Sequence, residues 1–169
     1  MSGVYVGIDP GKDGGIVAIN GDSEVLIQLV TPTVNVAKKG KKREYLVDSM
    51  KTILEFGKID FAVLEKTQAM PGQGGTSMHS LGRGDGLWEG ILVGLGIRYQ
   101  RVHPKTWQKL VHFDQGGDNP KSKSKIAAGR LFPGHDFRVS NRAKKPHDGL
   151  IDAALMAIYA KTTYGASHE

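Results

Sequence analysis

The sequence predicts an α/β fold built on a five-stranded mixed sheet, three antiparallel strands followed by parallel ones, with helices on its flanks. Three observations predict it. Residues 3–30 hold three short runs of alternating apolar and polar positions, separated by Gly-containing turns. Apolar runs at 61–65 and 97–102 each follow a stretch with helical spacing, as in a crossover to a parallel strand. The remainder of the chain reads as helices joined by Pro- and Gly-marked loops.

The elements follow in order. Residues 3–9 form a buried strand, with Val4, Val6 and Ile8 alternating with Tyr5 and Gly7. The turn Pro10-Gly11-Lys12-Asp13-Gly14-Gly15 leads to a strand at 16–20, and Gly21-Asp22 turns the chain into a third strand at 24–30. Residues 32–43 are a connection carrying Lys38, Lys39, Lys41, Lys42 and Arg43. Leu46, Met50, Ile53 and Leu54 then recur at helical spacing, so 44–56 is an amphipathic helix. The strand at 61–65 runs parallel to the first. Residues 70–83 read as a Gly-rich loop and 85–95 as a helix, followed by the strand at 97–102. His103-Pro104 opens a short helix carrying Trp107, which reads as core. A loop at 114–120, a helix at 122–132 that stops before Pro133-Gly134, and an irregular basic stretch at 135–145 follow. Pro146 suits the first turn of a last helix reaching about residue 164.

The chain has 169 residues, 39% of them hydrophobic, which suits one compact domain spanning 1–169; no repeat or interdomain linker interrupts it. No apolar run has a membrane helix's length, and Met1-Ser2-Gly3 leads straight into a strand without a secretory signal pattern. With no cysteine, neither disulfides nor thiolate zinc sites are available, and a reducing cytoplasm fits. The formal charge of +6 points to polyanionic partners.

Against that basic balance stands a set of acids. Asp9 ends the first strand and Glu65 the fourth, where side chains project into the crevice beyond the strand ends. Asp148 and Asp152 lie four apart and share one face of the last helix. Asp152 sits within an apolar stripe of Ile151, Ala154, Leu155 and Ile158, with no Lys or Arg within a turn. A lone buried acid costs several kcal/mol unless paired or bound to a cation. Blander readings exist: Asp9 as a turn former, Glu65 as an exposed residue, Asp148 as a cap for the helix N-terminus. Taken together the four carboxylates call for a divalent cation, and hard oxygen donors favour Mg²⁺ or Mn²⁺.

The ordered set of motifs resembles the RuvC family of Holliday-junction resolvases, with the RNase H-like fold. The residues that carry it are Gly7-Ile8-Asp9-Pro10-Gly11, Val63-Leu64-Glu65 and the Asp148/Asp152 pair. Gly82-Arg83-Gly84, Trp88-Glu89-Gly90-Ile91-Leu92, Pro104-Lys105-Thr106-Trp107 and His147-Asp148-Gly149 resemble its phage-encoded branch. The resemblance implies a crossover junction endodeoxyribonuclease of recombination and repair that acts as a homodimer on branched DNA. Asp9, Glu65, Asp148 and Asp152 would be its catalytic, metal-binding residues, and paired symmetric nicks would leave 5′-phosphate and 3′-hydroxyl ends. Two departures stand out. The last two carboxylates are four apart where the bacterial enzymes space them three apart, which puts Gly149 at the nearer position and keeps His147 in reserve. Thr67-Gln68-Ala69-Met70 replaces the family's stacking Phe.

Two Mg²⁺ ions about 4 Å apart would activate a water and stabilise the departing 3′-oxygen. No small-molecule cofactor is expected. Lys121, Lys123, Lys125 and Lys145 are equal candidates for the basic group beside the phosphate. Gln73, on the loop after Glu65, and Arg83 are further candidates for DNA contact. Gly82, Gly86, Gly90 and Gly94 recur every four residues; they fit either a dimer contact on the helix at 85–95 or packing on the chain's own sheet. His79, His103, His112 and His135 lack metal-ligand spacing. The competing functions are a nuclease-inactive junction-binding module and an RNase H-type hydrolase of RNA–DNA hybrids.

Overall fold

The structure, a computed structural model, describes residues 3–37, 42–68, 72, 74–112 and 117–165. The chain runs through β1 (Val4–Asp9), β2 (Gly15–Asn20), β3 (Val25–Val30), β4 (Thr33–Asn35), β5 (Arg43–Tyr45) and α1 (Val47–Leu54). It continues through β6 (Phe61–Glu65), α2 (Gly75–Gly94), β7 (Tyr99–Val102), α3 (Pro104–Val111), α4 (Pro120–Leu131) and α5 (Asp148–Tyr164).

The main sheet has the order β3-β2-β1-β6-β7. β1, β2 and β3 pair antiparallel, while β6 and β7 add parallel to β1. This is the arrangement of three antiparallel and then parallel strands expected from the alternation. The β1–β6 register pairs Ile8 with Leu64, so Asp9 and Glu65 are the next residues along neighbouring strands.

Strand alternation divides the side chains between two cores. Val6, Ile8, Ile16, Ala18, Ala62 and Leu64 pack against Met50 and Leu54 of α1 and Trp88 and Leu92 of α2. Tyr5, Val17, Ile19 and Val63 face α5, with α3 and α4 completing that layer. Asp9 and Glu65 follow the parity of the second set.

α5 is the central helix of the fold. From Gly149 to Ala160 every residue except Asp152 is buried. It lies directly on the sheet because Gly7 has no side chain: a Cβ there would stand 2.0 Å from the Ala153 carbonyl oxygen. Gly149 does the same for the β1–β2 turn, where a Cβ would meet the Asp13 carbonyl oxygen at 2.7 Å. These two contacts press the first turns of α5 against the end of β1, which carries Asp9. The contact at Gly149 also explains the four-residue spacing of the acids, because position 149 has no room for a carboxylate.

Three expectations are corrected. The Gly-rich stretch is largely helix: α2 begins at Gly75, ten residues ahead of the expected start at 85. Its core contacts through Trp88, Leu92 and the buried Gly84 outweigh the poor helix propensity of its glycines. The connection at 32–43 contains half of a small hairpin in which β4 pairs with β5. Pro146 lies ahead of α5 rather than in its first turn; His147 is the cap, its Nδ1 accepting from Leu150 N–H at 3.3 Å. That bond uses Nδ1 and leaves Nε2 of His147 as its other ring nitrogen. Lys38, Lys39, Lys41, Met70, Pro71 and Gln73 lie outside the described residues.

Candidate active site

The strand ends and the buried face of α5 bring three carboxylates into mutual influence. Asp9 leaves the end of β1, Glu65 the end of β6, and Asp152 descends from α5. Burial pushes the Asp9 carboxyl up to about 6; the Gly11 N–H opposes this, and the charges of Asp152 and Asp13 add to it. Burial pushes Glu65 up to about 8, reinforced by Asp9 and Asp152 and opposed by a hydrogen bond from Trp107. Burial likewise lifts Asp152 to about 6, with Ser124 opposing, Asp148 adding repulsion, and Lys121 and Lys125 moderating it. Each of the three is thus held in a site that resists its own charge.

Asp148 stands apart from this trio. It is 40% exposed at its side chain, and Lys121 Nζ and Lys125 Nζ each lie 3.1 Å from its carboxylate. Burial raises its pKa, but those two lysines outweigh it and leave the group below its ordinary value. The fourth acid is therefore neutralised by protein cations, and repulsion is concentrated in Asp9, Glu65 and Asp152.

The four lysine candidates separate. Lys121 and Lys125 lie one turn apart on α4 and flank Asp148 beside Asp152. Lys123, on the opposite face, instead adds to the burial that lowers the pKa of His112. Lys145 is exposed on the irregular stretch before α5. Arg83 of α2 pairs with Glu44 of β5. A groove of about 860 Å³ opens beside Asp9, and Lys12, Lys42, Arg43 and Arg83 line it. Asp13 and Glu44 answer two of those cations, Asp13 through a 2.7 Å pair with Arg43.

Sequence reading missed three participants. Trp107, read as core, is indeed fully buried, but its Nε1–H donates to Glu65 Oε1 at 2.9 Å. Ser124 is buried on α4 and holds the pKa of Asp152 down. His112 Nε2 lies 3.0 Å from Ser124 Oγ. The only sequence signal was a small hydroxyl on the apolar side of a lysine-rich helix. The pairing with Glu65 joins residues 42 apart and leaves no local pattern.

The glycines of α2 also separate. A Cβ at Gly84 would strike the Pro10 carbonyl oxygen at 2.4 Å and Tyr45 Oη at 2.3 Å, so α2 lies flush on the turn that follows Asp9. At Gly82, Gly86, Gly90 and Gly94 a Cβ would meet nothing within 4 Å. Packing on the chain's own sheet is thereby overturned for the four-residue repeat. Met78 and Val93, 42% and 63% exposed, continue that open stripe.

The donor set fits a hard divalent cation. It is all oxygen, and no lysine or arginine forms an ion pair with Asp9, Glu65 or Asp152 among the described residues. A bound cation would favour the ionised form of these buried acids, two of which are pushed up further by the charges of the others. As placed, no three His, Asp or Glu side chains among the described residues close tightly enough to surround one ion. The fit therefore rests on donor chemistry and electrostatics.

No protein-family model and no curated protein matches the sequence. Solved structures do match. The RuvC of T. thermophilus in complex with a Holliday junction substrate is similar over 95% of this chain and 96% of that one, with a TM-score of 0.60 and 14% identity. A second Thermus thermophilus RuvC structure is similar over 94% and 96%, with a TM-score of 0.60 and 16% identity. At these identities the likeness establishes the fold: a RuvC-type, RNase H-like arrangement over nearly the whole chain. Among the described residues no helix is long and apolar enough to cross a membrane.

Proposed function

We propose that this chain is a divalent-metal-dependent endonuclease that resolves four-way DNA junctions by paired symmetric nicks. The observation that carries the reading is the convergence of Asp9 and Glu65, at the ends of β1 and β6, with Asp152 of α5, three buried carboxylates without a basic ion-pair partner among the described residues. The fold it shares with a protein solved on a Holliday junction supports the same substrate class.

Asp9, Glu65 and Asp152 would hold the cations, with Asp148 at the margin. Mg²⁺, or Mn²⁺ in its place, would supply there a water activated for hydrolysis and charge stabilisation at the departing 3′-oxygen, giving 5′-phosphate and 3′-hydroxyl ends. The chain's own contribution is placement. The strand ends fix Asp9 and Glu65 on rigid backbone, and α5 fixes Asp152 within a close-packed layer. Lys121 and Lys125, held on Asp148, stand where an incoming phosphate can compete for them and gain charge-assisted hydrogen bonds. Lys12, Lys42, Arg43 and Arg83 offer a second stretch of contact for the DNA backbone.

Symmetric cutting requires two active sites, hence a homodimer. The open glycine stripe of α2, continued by Met78 and Val93, is the proposed contact, because glycines permit close helix–helix approach. The motifs at 82–84, 88–92 and 104–107 resemble the phage-encoded branch, and on that resemblance the chain would act in recombination, repair or debranching in a host cytoplasm.

A substrate panel tests the reading. A labelled four-way junction, the matching linear duplex and an RNA–DNA hybrid are incubated with the protein and Mg²⁺. Cleavage of the junction alone, at paired symmetric positions, is expected. Binding without cleavage in Mg²⁺ or Mn²⁺ would mark a junction-binding module, and cleavage of the hybrid alone an RNase H-type hydrolase.

A further inference from the structure

Helix α3 contributes no carboxylate, yet Trp107 in its middle bonds Glu65 directly and His112 at its end bonds Ser124, which lies beside Asp152. Trp107 donates its indole N–H to Glu65 Oε1 at 2.9 Å. That bond pins one of the two Glu65 carboxylate oxygens. Beyond Trp107, at the C-cap of α3, His112 Nε2 lies 3.0 Å from Ser124 Oγ, and Ser124 in turn acts on Asp152, holding its carboxyl pKa down.

Valence fixes the direction of that chain. A hydroxyl carries one hydrogen, and an ionised carboxylate only accepts. A Ser124 hydroxyl turned to Asp152 donates to it, and His112 then donates from Nε2 to Ser124 Oγ. The two rings meet edge to face, with centroids 5.8 Å apart at 75°, so the donor to Glu65 and the donor behind Asp152 brace each other. Asp9 and Asp148 receive no hydrogen bond from this helix; Asp9 has the Gly11 amide and Asp148 its two lysines.

Burial alone does not account for the Trp107 bond. Trp88 is just as buried, and its Nε1 has no partner. The fold thus tolerates an unpaired indole N–H, whereas Glu65 gains a donor that holds a flexible side chain in one orientation. Hydrogen-bond partners behind metal ligands act this way in general: they set ligand orientation before the ion arrives.

We propose that Trp107 and the His112–Ser124 pair are positioning residues that orient Glu65 and Asp152 for the cation, so that α3 sets the metal affinity of the site. This rests on the metal-dependent reading above. α3 would then act on the ligands without touching DNA or the reacting phosphate.

The test is Mn²⁺ binding to the full-length protein by isothermal titration calorimetry, without DNA, alongside the metal dependence of junction cleavage. Trp107→Phe keeps the ring and removes the donor; Ser124→Ala removes one oxygen; His112→Gln keeps an N–H donor and His112→Leu does not. Trp107→Phe, Ser124→Ala and His112→Leu are expected to weaken Mn²⁺ binding about tenfold or more. The metal concentration for half-maximal cleavage should rise in step, with cleavage at saturating metal largely restored. His112→Gln should stay close to the parent protein. Parent-like Mn²⁺ affinity in Trp107→Phe and Ser124→Ala, whatever their melting temperatures, would overturn the inference. If Trp107→Phe fails to fold, Ser124→Ala decides alone. A parent protein that takes up no Mn²⁺ would instead overturn the metal reading itself, and the inference with it.

Discussion

Replacing Glu65 with Gln should stabilise the metal-free protein, and only at neutral to alkaline pH. Glu65 is raised from 4.5 to about 8, chiefly by burial. A carboxyl whose folded-state pKa is raised stays protonated in the native state while the unfolded chain ionises. Stability is therefore lost as pH rises from about 4.5 to about 8 and stays at that lower level beyond. At ~1.4 kcal/mol per pH unit this interval corresponds to at most ~5 kcal/mol. Partial solvent access at the strand end reduces it, so ~2–3 kcal/mol is expected. Gln keeps the shape and still accepts the Trp107 N–H, but carries no charge in either state. For a chain of this size that gain is a rise of roughly 5–10 °C in Tm near pH 9. Near pH 4 the two proteins should melt together. The assay is urea or thermal unfolding of both proteins in EDTA across pH 4–9. A difference that does not change with pH, or a variant less stable at pH 9, would refute the claim that Glu65 is a frustrated buried acid.

Other expectations follow from the same geometry. Asp152→Asn should abolish cleavage while leaving the fold intact, whereas Asp148→Asn should cause a smaller loss, because Asp148 is half exposed and already answered by Lys121 and Lys125; single-turnover cleavage rates separate the two. Mg²⁺ affinity should fall as pH drops from 8 towards 6, since an ion competes with the protons that raised pKa values hold on Glu65, Asp9 and Asp152; calorimetric titration at several pH values measures it. Gly84→Ala should destabilise the protein through its clash with the Pro10 carbonyl. Gly90→Ala, in open space, should add about 0.5–1 kcal/mol to the monomer and weaken any dimer made through α2, as unfolding and sedimentation would show.

Much of this architecture was legible in the sequence because its signals are local. Alternation in β1, β2 and β3 and the apolar runs of β6 and β7 gave the sheet. An acid at the end of a strand is visible from its place before a turn, and an acid amid Ile151, Ala154 and Leu155 is visible from helical period. The first half of α2 was hidden by its glycines, whose poor propensity is overridden by tertiary contacts at Gly84 and Trp88. β4 and β5 are three residues each, too short to display alternation. The separation of Lys121 and Lys125 from Lys123 was within reach of helical periodicity, because residues four apart share a face and residues two apart do not. The bonds of Trp107 and Ser124 were not, because they exist only once α3, α4 and α5 have packed.

The most direct test of the central claim is cleavage of a labelled four-way junction by the parent protein, Asp9→Asn and Asp152→Asn, with Mg²⁺ and with EDTA. The account predicts paired nicks from the parent protein in Mg²⁺ only, and junction binding without nicks from both variants. Cleavage that persists in EDTA, or that survives either substitution at the parental rate, would contradict it.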